Sequence, residues 1–362
     1  MSQTWDAIIG GAGPAGLIAA TTLSRAGGKV LLLDPQSSGR HKVGESVPGA
    51  MARLLAKLNL PPIGGPGSPH RSVGGIVSHW AGELRTEDHL SKPEGGGWRL
   101  NRGAFEAELA QVAAAVGVMR KPARVTGVER INGVWQMDTE AHGKLAADFL
   151  IDATGRNAAI ARRAGARQIH GPPLVAVWTI GRNTRETPPN RTFIESTAEG
   201  WWYAAYLPDG RPLTVFHTTP ALAADLRAHP MRWLEQLRAT RHIAAQVDPE
   251  AFYRMALKVH DARSCHLESP CGPGWAACGD AALAFDPLAS QGIFNAMASA
   301  DMVATALLGN TTLEHYQRTA EEVRSLYQRR RNPLYAAAAR HFGTPFWQLH
   351  ADRDPIADGV TS

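Results

Sequence analysis

Residues 6–34, DAIIGGAGPAGLIAATTLSRAGGKVLLLD, constrain the fold more than any other stretch. DAIIG reads as a short buried strand and the glycines at 11, 13 and 16 as a tight loop. The apolar run to about Ala26 then reads as a helix, and Lys29 to Leu33 as a second strand. A strand–helix–strand opening commits the chain to a parallel sheet. The glycine spacing has a physical basis. Gly11 permits a tight turn, Gly13 lets a pyrophosphate approach the backbone, and Gly16 with Ala20 lets the helix pack closely on the sheet. Pro14 and Ala15 open the helix, whose N-terminus offers partial positive charge to phosphates. Asp34, ending the second strand, can accept a bond from a ribose 2′-hydroxyl and disfavours a 2′-phosphate, so FAD or NAD fits better than NADP. By itself the loop could also be a glycine-rich turn that serves packing only.

With 362 residues the chain can form two intertwined domains with a substantial core. Residues 35–50 read as a polar loop centred on KVGESVP, followed by a helix from Met51 to Leu58 and an irregular PPIGGPGSPH stretch. Residues 104–116 carry Phe105, Leu109 and Val112 on one helical face, closed by Gly117. Three strands follow over 123–152, the first turn being Asn132-Gly133. A further strand block spans about 172–218, with LPDGRP as a hairpin turn. Helix is expected at 221–245, strand at 252–260 and helix from about 291 onward.

Several classes are disfavoured. No apolar run reaches the ~18 residues of a membrane span. The start has no basic region followed by an apolar stretch, so a cytoplasmic protein is expected. Cys265, Cys271 and Cys278 match no zinc spacing and read as reduced thiols, so no metal is expected. The net charge of +5 is mild, and the run Arg329 to Arg331 reads as a solvated helix face rather than a nucleic-acid contact.

The segment CGDAALAFDPLASQGIFNAM, residues 278–297, sets a carboxylate close to a bare helix start. A helix beginning near Gln291 would leave unpaired N–H groups from Ser290 to Phe294, and Gly292 would let a flat ring approach the backbone. Together, GGAGPAGLIAA, DFLIDATGR and GWAACGDAALAFDPLASQG resemble the flavoprotein monooxygenases of the p-hydroxybenzoate hydroxylase type. KVGESVP makes the chain similar to the branch that contains the flavin-dependent halogenases.

The resemblance implies an α/β fold: a Rossmann-like FAD-binding domain (1–75, 100–165 and 262–310) interwoven with an antiparallel-sheet substrate domain (76–99 and 166–261), then a C-terminal helical segment (311–362). It implies non-covalent FAD, with Asp280 on a ribityl hydroxyl, Arg102 near the pyrophosphate, and Pro287 to Gly292 beside the pyrimidine edge of the ring. Lys42, Gly44, Glu45, Ser46, Val125, Ala153, Thr154, Gly155, Gly279, Ser290, Gln291 and Ile293 are further FAD contacts by the same resemblance, with Glu45 ordering its loop.

Three departures bear on the chemistry. Tryptophan halogenases carry a halogen-bearing lysine after the GES-like motif, whereas no lysine lies between Lys57 and Lys92. Their glutamate aligns with Ala289, and their tryptophan-rich motif is replaced by YAAYLP, with Tyr203 and Ala205 at the two tryptophan positions. The smaller Ala205 would open space between flavin and substrate. These losses favour hydroxylation, in which a C4a-hydroperoxide formed from O2 attacks an electron-rich ring. NAD(P)H or a separate flavin reductase would supply the electrons. GWWYAAYLP and HFGTPFW resemble the branch that hydroxylates a protein-borne tryptophan during tryptophylquinone biogenesis. The substrate is thus an aromatic small molecule or a tryptophan side chain of a partner protein. Asp286, His217 and Tyr203 are the catalytic candidates, Asp286 being either a helix cap or a charge near the ring. Along the strand, Trp201, Tyr203 and Ala205 share one face, and Trp202, Ala204 and Tyr206 the other. The competing readings are a halogenase with a relocated lysine, a prenyl-chain reductase, and a non-catalytic FAD-bearing maturation chaperone.

Overall fold

Residues 4–35, 43–89 and 95–351 are described in a computed structural model. The opening forms strand Thr4–Gly10, helix Pro14–Arg25 and strand Val30–Asp34. The two strands pair in parallel, and Thr4–Gly10 also pairs in parallel with Gly143–Asp152. The sheet extends to Met119–Pro122 at one edge and through Trp275–Ala277 to Cys271–Gly272 at the other. Ile8, Ile9, Leu31 and Leu32 are wholly shielded, as in parallel sheets covered on both faces. Helices Pro14–Arg25, Arg102–Ala115 and Gly292–Leu307 close one face through a core containing Leu17, Ala20, Phe105, Leu109, Met297 and Ala304. In the second of these helices Ala113, not Val112, completes the fully buried stripe, because the (i, i+4, i+8) line points straight at the sheet. The hairpin turn at Asn132 (φ 49°) and Gly133 (φ 86°) has the handedness the sequence requires.

A seven-stranded sheet lies beside the first, in the order Lys258–Asp261, Val175–Ile180, Pro212–Thr218, Gly200–Tyr206, Arg191–Thr197, Gly75–Trp80, Glu83–Asp88. Only the Arg191–Thr197 and Gly75–Trp80 pair is parallel. Helices Pro220–Ala228 and Pro230–Arg238 cover one face through Trp202, Phe216 and Trp233. Helices Leu313–Phe342 and Pro345–Ala351 pack on the other through Trp80, Trp201, Tyr335 and Trp347. The C-terminal segment is pinned there by side chains. Trp80 Nε1 donates to Leu334 O at 2.8 Å, and Trp347 Nε1 to Thr197 O at 2.7 Å.

Three expectations need correction. The strand expected at 252–260 is confined to Lys258–Asp261, because Asp248 caps a 3₁₀ turn over Pro249–Phe252 and Arg254 has φ 59°. The helix expected from 291 breaks twice, at Gly309 and at Gly343, which ends Leu313–Phe342 in the left-handed conformation. The basic run at 329–331 is not uniformly solvated: Arg331 is buried, for an electrostatic reason given below. No described helix is long and apolar enough to cross a membrane.

Candidate active site

The glycine loop and the turn before helix Gly292–Leu307 face each other across one cleft of about 440 Å³, within the usual range of small-molecule sites. Its two ends are made differently. At the glycine end the backbone does the shaping. Gly11 has φ 98°, and a Cβ there would lie 2.2 Å from Ala153 O. A Cβ on Gly16 would lie 1.8 Å from Gly11 O. Gly13 differs, since its Cβ would meet nothing within 4 Å and would project into open space. Gly292, at the far end, is equally open. Both glycines line the cleft, so each leaves a backbone cradle that only a bound group would fill. The helix start at Ala15 and Gly16 adds donors without intrahelical acceptors.

The adjoining DATGR segment is held by Asp152, which sequence reasoning passed over although the motif contains it. Its fully buried carboxylate accepts from the N–H groups of Thr154 (2.9 Å), Ile160 (2.8 Å) and Ala161 (2.7 Å), and from Thr154 Oγ1 (2.6 Å). The Thr154 side chain is therefore committed to the scaffold, while Ala153 and Gly155 line the cleft. Arg156 was also missed. It donates to Phe285 O at 2.7 Å and stands 3.7 Å from Asp280. Desolvation pushes the Asp280 carboxyl upward, with Arg156 and Arg102 opposing. Gly279 anchors the same turn by donating to Ser299 Oγ at 2.9 Å.

Arg102 follows the N-cap Asn101, whose side chain accepts from Ala104 N at 3.1 Å. Its guanidinium donates to Val43 O (2.8 Å) and Gly44 O (3.1 Å), tying the GES-like loop to the cleft rim. Inside that loop Glu45 is buried; it accepts from Gly44 N at 3.0 Å and from the Tyr203 hydroxyl at 2.7 Å. Arg99, itself 2% exposed, lies 3.3 Å from Glu45 and also donates to Ser46 Oγ, the Tyr203 hydroxyl and Thr192 Oγ1. No motif signals Arg99; antiparallel pairing of strand Gly97–Arg99 with Ser46–Val47 sets it opposite Ser46, beside Glu45. Burial raises the Tyr203 phenol well above its usual value, so it stays protonated.

At the turn before helix Gly292–Leu307, Asp286 accepts from Leu288 N at 3.1 Å, capping the 3₁₀ turn Pro287–Ala289. Its other oxygen accepts from Arg331 Nε at 2.8 Å. The expected row of unpaired donors starts later than proposed. Ser290 N is used, donating to Pro287 O at 3.1 Å, whereas Gly292, Ile293 and Phe294 form the first, unpaired turn of the helix. Gln291, before them, also lines the cleft. His217, on the wall between the two ends, stacks on Trp201 with ring centroids 3.6 Å apart, and its Nδ1 has no hydrogen-bond partner. Burial lowers its pKa to about 3, against the pull of Asp286.

Of the strand Gly200–Tyr206, only Tyr203 lines the cleft. Ala205 is fully buried and absent from the wall, so the space expected there is not open. Asp34 pairs with Arg120 at 2.6 Å beyond the cleft, and Val125 packs in the core with Leu31 and Leu33. Lys42 lies outside the described residues.

Residues 6–174 match the family model of FAD-dependent oxidoreductases. The chain is 28% identical to the FAD-dependent oxidoreductase LodB of Marinomonas mediterranea, covering 96% of both proteins. Among solved structures it is similar to the peptidyl tryptophan dihydroxylase QhpG, essential for tryptophylquinone cofactor biogenesis, with TM-score 0.76 and 24% identity over 96% of this chain and 79% of that one. It also resembles the flavin-dependent halogenase CmlS, with TM-score 0.81 and 20% identity over 98% of this chain and 68% of that one. At these identities the two structures establish the fold.

Proposed function

The chain is an FAD-dependent oxidoreductase, and from that premise we propose that it is a monooxygenase that hydroxylates an electron-rich aromatic ring, an indole borne by a tryptophan of a partner protein. The observation that carries the reading is the cleft wall. Among the described residues lining it there is no lysine to carry an activated halogen, and beside the turn stand Tyr203, Leu213, Val215 and His217. The name of QhpG supports a protein substrate and a place in quinone-cofactor maturation.

Ala15 and Gly16 would hold the FAD pyrophosphate, Asp280 the ribityl chain, and the bare N–H groups at 292–294 the pyrimidine edge. Bound and reduced, FAD supplies activation of O2 for transfer of one oxygen atom to the substrate. The protein's own contribution is placement. Asp286 has both oxygens engaged, Tyr203 is tied to Glu45 and Arg99, and His217 is neutral at working pH. None of the three is poised as a strong acid or base; they shape, dry and orient the site. Electrons come from NAD(P)H directly or through a flavin reductase, and the three free thiols fit a reducing, cytoplasmic setting.

The test is co-expression with a tryptophylquinone-enzyme precursor, followed by purification with FAD, reductant, O2 and bromide. A partner heavier by one or two oxygen atoms on a tryptophan, only when O2 is present, is expected. A brominated product instead assigns halogenation, and unchanged partner mass with a stable complex assigns a chaperone.

A further inference from the structure

Asp286 belongs to the cleft, yet what holds it comes from behind. A second hollow of about 400 Å³ lies on the other side of the same turn, so that Phe285, Asp286 and Gln291 line both spaces. The turn is a thin partition. It is braced by one stripe of the long helix Leu313–Phe342: Tyr327, Arg331 and Tyr335, each one turn from the next. Asp286 N donates to Tyr327 Oη at 3.2 Å. Arg331 Nε donates to the Asp286 carboxylate at 2.8 Å, with side-chain exposures of only 6% and 2%. The guanidinium sits 3.9 Å above the Tyr335 ring and also donates to His350 O at 3.3 Å. A buried carboxylate lacking its cation would hold an uncompensated charge beside the bare helix start.

We propose that Arg331 is a positioning residue that sets the charge the turn presents to the cofactor, so that the C-terminal helix tunes how readily bound FAD is reduced. This rests on the reading above that the turn lies against the flavin ring. FAD gains negative charge at that edge on reduction. Asp286 alone opposes the gain; Arg331 cancels it and leaves the helix-start donors to dominate.

The experiment measures Kd for oxidised and for reduced FAD, anaerobically at pH 8, in the full-length protein and three variants. Arg331→Met is expected to weaken reduced FAD relative to oxidised FAD about tenfold, a fall of about 30 mV in the two-electron potential. Asp286→Asn, leaving Arg331 unopposed, is expected to shift the ratio about tenfold the other way, by the same conversion. The double variant returns it to within about twofold of the parent. Opposite signs separate charge from scaffold damage, which would weaken both forms alike. Equal loss of both forms, or shifts of one sign, overturns the proposal. If Arg331→Met does not fold, the sign of the Asp286→Asn shift decides. A parent protein that binds no FAD defeats instead the functional reading beneath it.

Discussion

At residues 10–16 the cleft is made of backbone, and its tolerances are those of single atoms against carbonyl oxygens. Around Glu45 and Asp286 it is made of buried charges contributed by segments far apart in the chain: Arg99 reaches Glu45, and Arg331 reaches Asp286. The first kind of wall is local, rigid and steric. The second depends on partners, and so on pH and on the completeness of each pair. A local backbone site fails when atoms are added to it, whereas a charge-built site fails when one member of a pair is removed.

The largest expected effect attacks the steric wall and splits it in two. Gly16→Ala places a Cβ inside contact distance of Gly11 O, a backbone atom with no side-chain rotation to yield by, and close to Ala153 Cβ. It is expected to destabilise the protein by about 4 kcal/mol or more, within the range known for severe overpacking and strain. Gly13→Ala meets nothing within 4 Å. It should leave the melting temperature of FAD-free protein nearly unchanged while lowering FAD affinity. Thermal melts with and without FAD compare the two; equal destabilisation would erase the distinction between packing and cradle glycines.

Next comes the charge-built wall. Arg99→Met leaves Glu45 buried without its cation and removes a donor to Tyr203, and should cost about 3–5 kcal/mol. Chemical denaturation checks it. Adding Glu45→Gln should recover much of the loss, because the orphaned charge goes with it. No recovery would mean that Arg99 acts through packing alone.

The smallest effect per unit is a slope. Burial lowers the His217 pKa to about 3, and burial together with Arg331 lowers that of His350 to about 4, from an ordinary 6.5. Below pH 6.5 the unfolded chain therefore binds protons that the folded one refuses. Stability is whole above that pH and declines as pH falls, each histidine contributing up to about 1.4 kcal/mol per pH unit until its folded pKa is reached. Melting temperatures recorded from pH 7 to pH 5 should fall, and His217→Gln should flatten the curve. An unchanged slope in that variant would place the sensitivity elsewhere.

This contrast also governs what could be read in advance. The strand–loop–helix–strand opening, the Asn132-Gly133 turn, the hairpin at LPDGRP and the capped turn at Asp286 follow from rules acting over a few residues. So does the commitment of Gly16, whose added Cβ would meet Gly11 O within the same motif, whereas Gly11 is constrained by Ala153 O, brought in from far along the chain. Arg99 and Arg331 look like any surface arginine until the sheets and the long helix are assembled. By sequence Arg331 reads as solvated because it continues a run of basic residues; one further step around the helix points it inward. Ala205 misled for a related reason, since its small size says nothing about what fills the vacated volume.

Taken alone, the amino-acid order determined where chain direction reverses, which segments form a parallel sheet, and where a helix start is left bare. Those outcomes depend on steric and hydrogen-bonding limits between near neighbours. Tertiary structure alone decided which charges are paired, which aromatic ring faces the cleft, and that the C-terminal helix braces the turn at Asp286. Burial and pairing are set by whatever arrives from elsewhere in the chain, and no short window of sequence contains it.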